Sequence, residues 1–227
     1  MIHIEAIHKT YQSGDTAVHA LRGVSLMIKP GEFLAIAGPS GSGKSTLLNI
    51  AGCLDSPDTG TIRINNQDIH GLNVAGRATY RREHLGFIFQ SFNLVPVMTA
   101  YENVALPLEL LGQPAGEIRE RTMRILAEVG LEGMEHRRPS RLSGGQQQRV
   151  AIARALIKEP AIVLADEPTA NLDSTTGESV LQLMRQLNEE RHTTFLFSTH
   201  DPKVMEYSRR LVQLQDGEIV QDERKLP

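Results

Sequence analysis

Apolar residues along this chain form short runs of strand length, separated by segments with helical spacing. Three of these runs, Glu32–Ala37, Ala161–Asp166 and Thr194–Thr199, are nearly continuous, which is typical of strands buried on both faces. Between the last two runs, the apolar residues Val180, Leu181, Met184 and Leu187 are spaced so that they would lie on one face of a helix. A strand, a helix and a strand of these lengths predict a parallel crossover and therefore an α/β fold.

The N-terminal segments follow a different pattern. Ile2–Ile7, Val24–Ile28 and Thr61–Ile64 alternate apolar and polar positions or are rich in β-branched residues. Turn-forming pairs stand at Pro30-Gly31 and Asn65-Asn66. This combination predicts a small antiparallel β layer beside the parallel sheet.

The middle third of the chain has mainly helical periodicity, from about Ser91 to Glu159. One such segment, Glu117–Val129, has apolar positions at Ile118, Met123, Ile125 and Leu126. We expect Leu94–Met98 and Pro107 to interrupt the helical run, because proline removes a backbone donor. The predicted organisation is a single domain, 1–227, with an α/β core at 1–90 and 160–227 that includes the antiparallel β layer, and a helical subdomain at 91–159.

Composition and charge exclude several classes of protein. Of the 227 residues, 22% are charged and 40% hydrophobic, so we expect a folded chain. The net charge of −3 gives no global argument for nucleic acid, although local basic patches remain possible. The single cysteine, Cys53, excludes an intrachain disulfide and suits a reducing cytoplasm. With no signal pattern and no apolar run of about 20 residues, any membrane role must come through a partner.

A glycine-rich loop lies between a predicted strand and a predicted helix. The sequence Gly38-Pro-Ser-Gly-Ser-Gly-Lys-Ser45 fits the phosphate-binding pattern G-x-x-x-x-G-K-[ST]. Its glycines allow backbone N–H groups to point inward, and the helix N-terminus adds partial positive charge. We expect Lys44 to reach the β- and γ-phosphates and Ser45 to bind Mg²⁺. The alternative of a flexible glycine turn is disfavoured by the flanking strand and helix. The predicted nucleotide contacts are Gly38, Pro39, Ser40, Gly41, Ser42, Gly43, Lys44, Ser45 and Thr46.

Two carboxylates end the apolar run Ile162–Ala165. Strand ends in such sheets face the ligand crevice. We expect Asp166 to hold the Mg²⁺ shell through water, and Glu167 to orient or activate the attacking water. A solvated acidic turn before Pro168 is the alternative.

Three further residues could reach the same site. His200 follows the predicted strand Thr194–Thr199 and could bond the γ-phosphate and the attacking water, or could be an ordinary loop histidine. Gln90 follows the strand-like Leu85–Phe89 and could touch both Mg²⁺ and water. Tyr11 could stack on an adenine ring or serve as a buried packing residue.

A second glycine-rich helix start lies far from the first, at Ser143-Gly144-Gly145-Gln146. Serine and glutamine at this spacing form a capping box before the apolar positions Val150, Ala153, Leu156 and Ile157. Capping does not explain the adjacent glycines, which cost a helix about 1 kcal/mol each. We interpret their exposed N–H groups as a second anion site, which a second copy of the chain would use.

Taken together, these motifs resemble the ATP-binding subunits of ABC transporters. The resemblance rests on Tyr11, Gly38–Thr46, Gln90, the LSGGQ sequence ending at Gln146, Ile162–Glu167, Asn171-Leu-Asp173 and His200. It implies a P-loop NTPase fold with a RecA-like core, and ATP and Mg²⁺ as cofactors. It also implies a head-to-tail homodimer in which Ser143, Gly144, Gly145 and Gln146 clasp the partner's nucleotide. Asp173 would communicate across that interface, while Glu167, His200, Lys44 and Gln90 act in catalysis.

A narrower resemblance lies in Leu94–Leu110 and Asp166–Ser174, which are similar to the lipoprotein-releasing, macrolide-exporter and antimicrobial-peptide-exporter group. It implies a peripheral subunit on the cytoplasmic face of the bacterial inner membrane, powering export, extraction or mechanical work. Integral membrane subunits would dock near Gln90–Pro107. Because the chain stops soon after the Asp216-Gly217-Glu218 turn, we expect no regulatory C-terminal domain.

Two other classes use the same paired ATPase heads. A cell-division ATPase of the same group pairs with a membrane protein without transport, and the sequence leaves this alternative open. A DNA-repair ATPase would carry a long coiled-coil or zinc insertion, whereas this chain has one cysteine and no sustained heptads. We therefore expect no nucleic-acid partner.

Overall fold

The computed structural model describes residues 2–14 and 16–225, and the predicted domain limits at Met1 and Pro227 lie outside them. The described strands are β1 (Ile2–Ser13), β2 (Thr16–Ile28), β3 (Phe33–Ala37), β4 (Thr59–Ile64), β5 (Gln67–Asp68), β6 (Leu85–Ile88), β7 (Ile162–Asp166), β8 (Thr194–Thr199), β9 (Arg210–Gln215) and β10 (Glu218–Arg224). The described α-helices are α1 (Lys44–Ala51), α2 (Val74–His84), α3 (Ala100–Leu110), α4 (Ala115–Glu128), α5 (Gly144–Leu156), α6 (Ser174–Arg191) and α7 (Pro202–Tyr207). A 3₁₀ turn at Pro139–Arg141 precedes α5.

A six-stranded sheet in the order β10-β9-β3-β8-β7-β6 forms the centre of the molecule. Its strands pair in parallel except for the antiparallel edge strand β10. Strand β7, helix α6 and strand β8 form the predicted parallel crossover, and β7 and β8 are direct neighbours. The three apolar runs became the buried strands β3, β7 and β8, so the predicted α/β class is confirmed.

The N-terminal strands form a separate antiparallel sheet in the order β2-β1-β4-β5, which confirms the predicted β layer. Strands β1 and β2 are longer than predicted because the polar residues beyond the apolar runs continue the pairing. The turn between β4 and β5 has positive φ angles at Asn65 (51°) and Asn66 (66°). Asparagine tolerates this region, which two-residue hairpin turns require.

Side chains of the parallel strands enter two hydrophobic clusters, one on each face of the sheet. Phe33, Phe195 and Phe197 point to the face covered by residues of α3 to α6. Their neighbours Leu34 and Leu196 point to the other face, against α1 and the antiparallel sheet. The helices within 91–159 thus share a core with the sheet, and their separation as a subdomain stays a prediction.

One apolar position of the predicted helical region lies outside the core, and one prediction for that region is wrong. Met123 is 42% exposed, because the buried stripe of α4 runs through Ile118, Thr122 and Ile125, and Met123 lies beside it. Pro107 does not interrupt the helical run but lies inside α3. A capping box at the start of α3 and packing of α3 against α5 outweigh the one backbone hydrogen bond that Pro107 removes.

A buried asparagine fixes the non-helical segment that precedes α3. The Nδ2 atom of Asn103 donates to the carbonyls of Val95 (3.1 Å), Met98 (3.2 Å) and Thr99 (2.9 Å). Its Oδ1 atom accepts from the Val95 N–H at 2.8 Å, and the residue is fully buried. The Asn103 side chain therefore holds the backbone of residues 95–99 in its non-helical conformation.

We expect Asn103→Ala to lower the free energy of unfolding by about 1–3 kcal/mol, since it removes four hydrogen bonds to partly buried backbone groups. Urea unfolding measures this loss. Glu109→Ala, at an exposed position of the same helix, is the matched control and should change stability little. Equal stabilities of the two variants would contradict this role for Asn103.

Candidate functional site

The glycine-rich loop folds into a cradle because its glycines adopt backbone angles that other residues disfavour. Gly43 (φ 103°) and Gly41 (φ 79°) both have positive φ. A Cβ atom on Gly43 would clash with the Ala20 carbonyl, whereas one on Gly41 would meet nothing within 4 Å. Gly41 therefore borders open space, and Gly43 packs against β2. No side chain of the described residues caps the start of α1, so its first N–H groups remain available to an anion.

Two other residues of the loop, Gly38 and Ser42, pack against β9 and the turn that follows it. A Cβ atom on Gly38 would clash with the Leu214 carbonyl in β9, so only glycine fits there. Ser42 is buried, and its carbonyl accepts a hydrogen bond from the Gly217 N–H at 3.1 Å. These contacts fix the cradle against the β9–β10 turn.

A cavity of about 840 Å³ opens above this cradle. It collects most of the predicted nucleotide and catalytic residues around one space, although Gly38 and Ser42 do not line it. Sequence analysis missed Val18 and Ala20 of β2, because the predicted strand there began only at Val24. The lining residues are Tyr11, Val18, Ala20, Pro39, Ser40, Gly41, Gly43, Lys44, Ser45, Thr46, Gln90, Glu167 and His200.

Lys44 lies at the base of the cavity with its amino group turned toward its own loop. Its Nζ atom donates to the carbonyls of Gly38 (2.7 Å) and Pro39 (2.8 Å). Burial lowers the pKa of Lys44, while the nearby carboxylates of Glu167 and Asp166 oppose that shift. The lysine is thus a buried cation that faces two acidic side chains across the site.

Glu167 has a strained backbone and a tightly held carboxylate. Its φ angle of 46° is unusual for a non-glycine residue and turns the chain sharply after β7. Its Oε2 atom accepts from the Thr199 hydroxyl at 3.1 Å, and Oε1 accepts from the His200 N–H at 3.1 Å. The ring Nδ1 of His200 lies 2.5 Å from the same Oε1. The predicted pair is therefore in contact, and Thr199, a hydroxyl at the end of β8, was missed.

The residues near Asp166 fit a magnesium ion. The buried Oδ1 atom of Asp166 has no hydrogen-bond partner among the described residues. Burial raises the pKa of Asp166, whereas the hydroxyls of Ser198 and Ser45 favour its ionised form. The Ser45 hydroxyl, the Asp166 carboxylate and the Gln90 amide are hard oxygen donors of the kind that Mg²⁺ prefers. Residues 2–14 and 16–225 contain no cluster of three His, Cys, Asp or Glu side chains that could hold a metal ion by themselves. A Mg²⁺ site does not need such a cluster when phosphate oxygens supply the other ligands.

The second glycine-rich helix start forms the predicted capping box. The Oγ atom of Ser143 accepts from the Gln146 N–H at 3.3 Å, and Oε1 of Gln146 accepts from the Ser143 N–H at 3.0 Å. Ser143 is exposed, and none of the residues from Ser143 to Gln146 lines the cavity above the P-loop. This helix start is therefore separate from the phosphate cradle of its own chain.

The structure corrects one step of the sequence argument about this segment. A Cβ atom on Gly145 would clash with the side chain of Thr176, so close packing against α6 already requires glycine there. Gly144 is less constrained, because its nearest neighbour, Leu172, would lie 3.3 Å from an added Cβ. Packing is thus one reason for glycine at position 145, and the anion site at this helix start stays a prediction.

Asp173 begins α6 and anchors the segment after Glu167. Its Oδ1 atom accepts from the N–H groups of Thr175 (3.1 Å) and Thr176 (3.0 Å). The Thr176 side chain and then these N–H groups lower the pKa of Asp173. The Asn171 amide donates to the Gln90 carbonyl at 3.0 Å.

Helix α5 joins the same network through a residue that sequence analysis missed. The buried Gln148 amide donates to the Pro168 carbonyl at 2.7 Å. Its position within a run of three glutamines was the only available signal. Gln90, the segment after Glu167 and the helix that begins at Ser143 are therefore connected by hydrogen bonds.

Comparison with known proteins gives a consistent assignment. The family described as ABC transporter matches residues 21–170. The chain is 49% identical over 221 residues to the macrolide export ATP-binding/permease protein MacB of Syntrophobacter fumaroxidans, covering 96% of this chain and 31% of that protein. It thus spans about a third of the length of that relative. It is also 48% identical over 228 residues to the uncharacterized ABC transporter ATP-binding protein MJ0796 of Methanocaldococcus jannaschii, covering 99% and 97% of the two chains.

A solved structure agrees over the whole length. The dimeric structure of the ATP-binding cassette MJ0796 in a post-hydrolysis state, bound to ADP and Pi, has a TM-score of 0.91 and 46% identity over 100% of both chains. Among the described helices, none has the length and apolar character that crossing a bilayer requires. From its sequence profile, its full-length relative and its fold, the chain belongs to the family of ABC transporter ATP-binding proteins.

Proposed function

We propose that this chain hydrolyses ATP as a head-to-tail homodimer and powers separate membrane subunits. One observation carries the proposal: the cavity collects the cradle, Gln90, Glu167 and His200, but the helix start at Ser143 lies outside it. A second copy facing the opposite way could bring its Ser143 to the open side of the cavity. The related MJ0796 cassette, described as dimeric and bound to ADP and Pi, supports this arrangement.

ATP binding would first change the contacts of Lys44. Its Nζ atom now donates to two loop carbonyls, which are weaker partners than phosphate oxygens. We propose that it turns to the β- and γ-phosphates while the N–H groups at the start of α1 bind the same anion. Mg²⁺, held by Ser45, Gln90 and, through water, Asp166, would supply further charge neutralisation.

Hydrolysis would then depend on Glu167. Thr199 and the backbone of His200 hold its carboxylate at the edge of the sheet, where it can accept a proton from water. The His200 ring is 72% exposed, so it can leave Glu167 and bond the γ-phosphate without repacking the core. Catalysis would rest on positioning and on charge stabilisation.

The cycle would work as a clamp. Phosphates that contact the cradle of one copy and the α5 N-terminus of the other favour the closed dimer, since a ligand shifts an equilibrium by its differential affinity. After hydrolysis and phosphate release the contact disappears and the dimer opens. We retain the helical segment 91–159 as the subdomain that presents Ser143 to the partner.

Force would reach the membrane through the segment between Gln90 and Pro107. Its backbone is left-handed at Phe92 and Asn93, and Arg154 of α5 donates to both of their carbonyls at 2.8 and 2.6 Å. Val97 is 71% exposed in the part of this segment that Asn103 holds. We propose that a membrane subunit at the cytoplasmic face of the bacterial inner membrane binds here, as for an envelope exporter of the macrolide-export type.

We expect Glu167→Gln to bind ATP normally, to lower hydrolysis by about 10²–10⁴-fold through loss of the base, and to accumulate as a closed dimer. Phosphate release and size-exclusion chromatography with saturating Mg-ATP measure both effects. A variant that stays monomeric under these conditions would count against the clamp.

We expect Ser143→Arg to bind ATP at its own cradle yet lose hydrolysis, because the added side chain blocks the neighbour's phosphate. Lys44→Ala, the complementary variant, should lose ATP binding. Mixing the two inactive proteins should restore hydrolysis, since a mixed dimer has one composite site with both Lys44 and Ser143 intact. Wild-type hydrolysis by Ser143→Arg alone would contradict completion of the site by a second copy.

We expect Val97→Asp to abolish capture of a membrane protein when the chain is purified in mild detergent from the cells that make it. Val74→Asp, at an exposed position of α2, is the matched control and should retain the partner. Mass spectrometry of the co-purified proteins measures the difference. Recovery of only soluble nucleic-acid-associated proteins with the wild type would contradict a membrane subunit.

A further inference from the structure

We propose that Asp55 and Lys9 are positioning residues that hold the Tyr11 ring in place as a platform for the purine base of ATP. The inference rests on the proposed function, because it concerns the nucleotide that the cavity takes. Neither residue lines the cavity, and neither belongs to the motifs that the sequence analysis identified.

The first observation is the hydrogen bond of the tyrosine hydroxyl. The Oη atom of Tyr11 donates to Oδ2 of Asp55 at 2.6 Å, a length typical of a hydroxyl that donates to a carboxylate. The tyrosine side chain remains 38% exposed and lines the cavity together with the cradle. One end of the ring is thus fixed while part of its surface stays open to a ligand.

The second observation is that the carboxylate itself is held. The other oxygen of Asp55, Oδ1, accepts from the Lys9 amino group at 3.0 Å and from the Ser56 N–H at 2.7 Å. The Lys9 amino group also donates to the Ser56 carbonyl at 2.7 Å. Because both oxygens of Asp55 have partners, the carboxylate cannot rotate freely. It therefore holds the hydroxyl of Tyr11 in a fixed position.

Lys9 also acts on the ring directly. Its Nζ atom lies 5.1 Å from the centroid of the Tyr11 ring, within the range of a cation–π contact. The lysine side chain is only 13% exposed, so its position is set by the surrounding structure. Tyr11 is therefore restrained at its hydroxyl by Asp55 and at its ring by Lys9.

At neutral pH, Asp55 and Tyr11 are in the protonation states that their hydrogen bond requires. Burial raises the pKa of Asp55, but the hydrogen bonds from Tyr11 and Lys9 outweigh burial and hold this pKa below its usual value, so the carboxyl stays ionised. Burial and the neighbouring Asp55 raise the pKa of Tyr11, so the hydroxyl stays protonated and remains a donor.

The position of Asp55 in the fold links the platform to the phosphate cradle. Helix α1 begins at Lys44 in the cradle, and the segment after it is tied back to the helix: the N–H groups of Leu54 and Asp55 both donate to the Asn49 carbonyl, at 2.8 and 3.3 Å. The same helix therefore fixes the phosphate site at its beginning and the ring of Tyr11 just beyond its end. This sets the spacing between the base and the phosphates, which one ligand must match.

A ring that is already fixed loses little freedom when a base stacks on it, so removing the restraint should weaken ATP binding by about threefold to tenfold. We expect this loss in Tyr11→Phe, which keeps the ring but not the hydroxyl, and in Asp55→Ala. The double variant should be no weaker than Asp55→Ala alone, because Asp55→Ala already removes the hydroxyl bond that Tyr11→Phe removes. Calorimetry with Mg-ATP and, separately, with Mg-bound inorganic triphosphate measures the effect.

Inorganic triphosphate separates a positioning role from general damage, because it occupies the cradle but has no base. Its affinity should be unchanged in both variants. Asp58→Ala is the matched control: Asp58 lies in the same turn and accepts from the Thr10 N–H at 2.6 Å, but it is not the partner of the Tyr11 hydroxyl. Asp58 lies 3.7 Å from the Lys9 amino group, which in this variant keeps its closer partners, Asp55 and the Ser56 carbonyl. Its preference for ATP over triphosphate should equal that of the wild type.

The outcomes distinguish this inference from the proposed function. If the wild type binds neither ligand, the proposed function itself is wrong. If the wild type prefers ATP over triphosphate and Tyr11→Phe and Asp55→Ala keep the full preference, only the positioning role is overturned. An equal loss of preference in Asp58→Ala and Asp55→Ala would assign the effect to the whole turn and would also overturn it.

Discussion

The parallel register of strands β3, β8 and β7 is the constraint on which the site depends. Ala37 pairs with Thr199, and Ser198 pairs with Asp166, so the three strands end at the same level. The groups that follow each strand are therefore neighbours although they are far apart in sequence. A shift of one residue would exchange the two hydrophobic clusters as well as move the site. Burial of the sheet on both faces thus fixes the geometry of the candidate site.

The half of the site that we propose faces a second copy is built on other supports. Ser143 stands at the start of α5, whose Gln148 is bonded to the carbonyl after Glu167. Asn171 bonds the backbone of Gln90, and Arg154 of α5 bonds the segment that follows Gln90. Events at the nucleotide, at the dimer contact and at the proposed membrane contact therefore act on one connected set of hydrogen bonds. We infer that the mechanical output of the cycle passes through this set.

The sequence predicted the structure best at positions where the residue type is compatible with one kind of local structure. Buried apolar runs predicted β3, β7 and β8, and glycine, lysine and hydroxyl at fixed spacing predicted the cradle. Position within an element was harder to predict. Pro107 shows this, since helix capping and packing outweighed its local preference. Met123 shows it too, because a buried threonine continued the stripe of α4 in its place.

Contacts between distant segments could not be predicted from spacing. Thr199, Gln148, Asn103 and Asp55 are polar residues of ordinary types, and their roles arise only when the fold brings a partner within hydrogen-bond distance. Gly145 gives the converse case, because a close approach by Thr176 supplied a packing reason that the sequence could not contain. The motifs therefore identified the chemistry of the site, while the structure identified the residues that hold it in position.

Lys44 and Glu167 show how these supports hold individual side chains of the candidate site. In this structure the lysine donates to carbonyls of its own loop, and the glutamate accepts from Thr199 and His200. Each of these two groups thus has hydrogen-bond partners within its own chain. A triphosphate must exchange the contacts of Lys44, and the proposed turn of His200 toward the γ-phosphate releases one contact of Glu167. Since the two side chains attract each other across the cavity, moving one changes the electrostatic environment of the other. We therefore propose that nucleotide binding at Lys44 and proton acceptance by Glu167 are coupled within one chain.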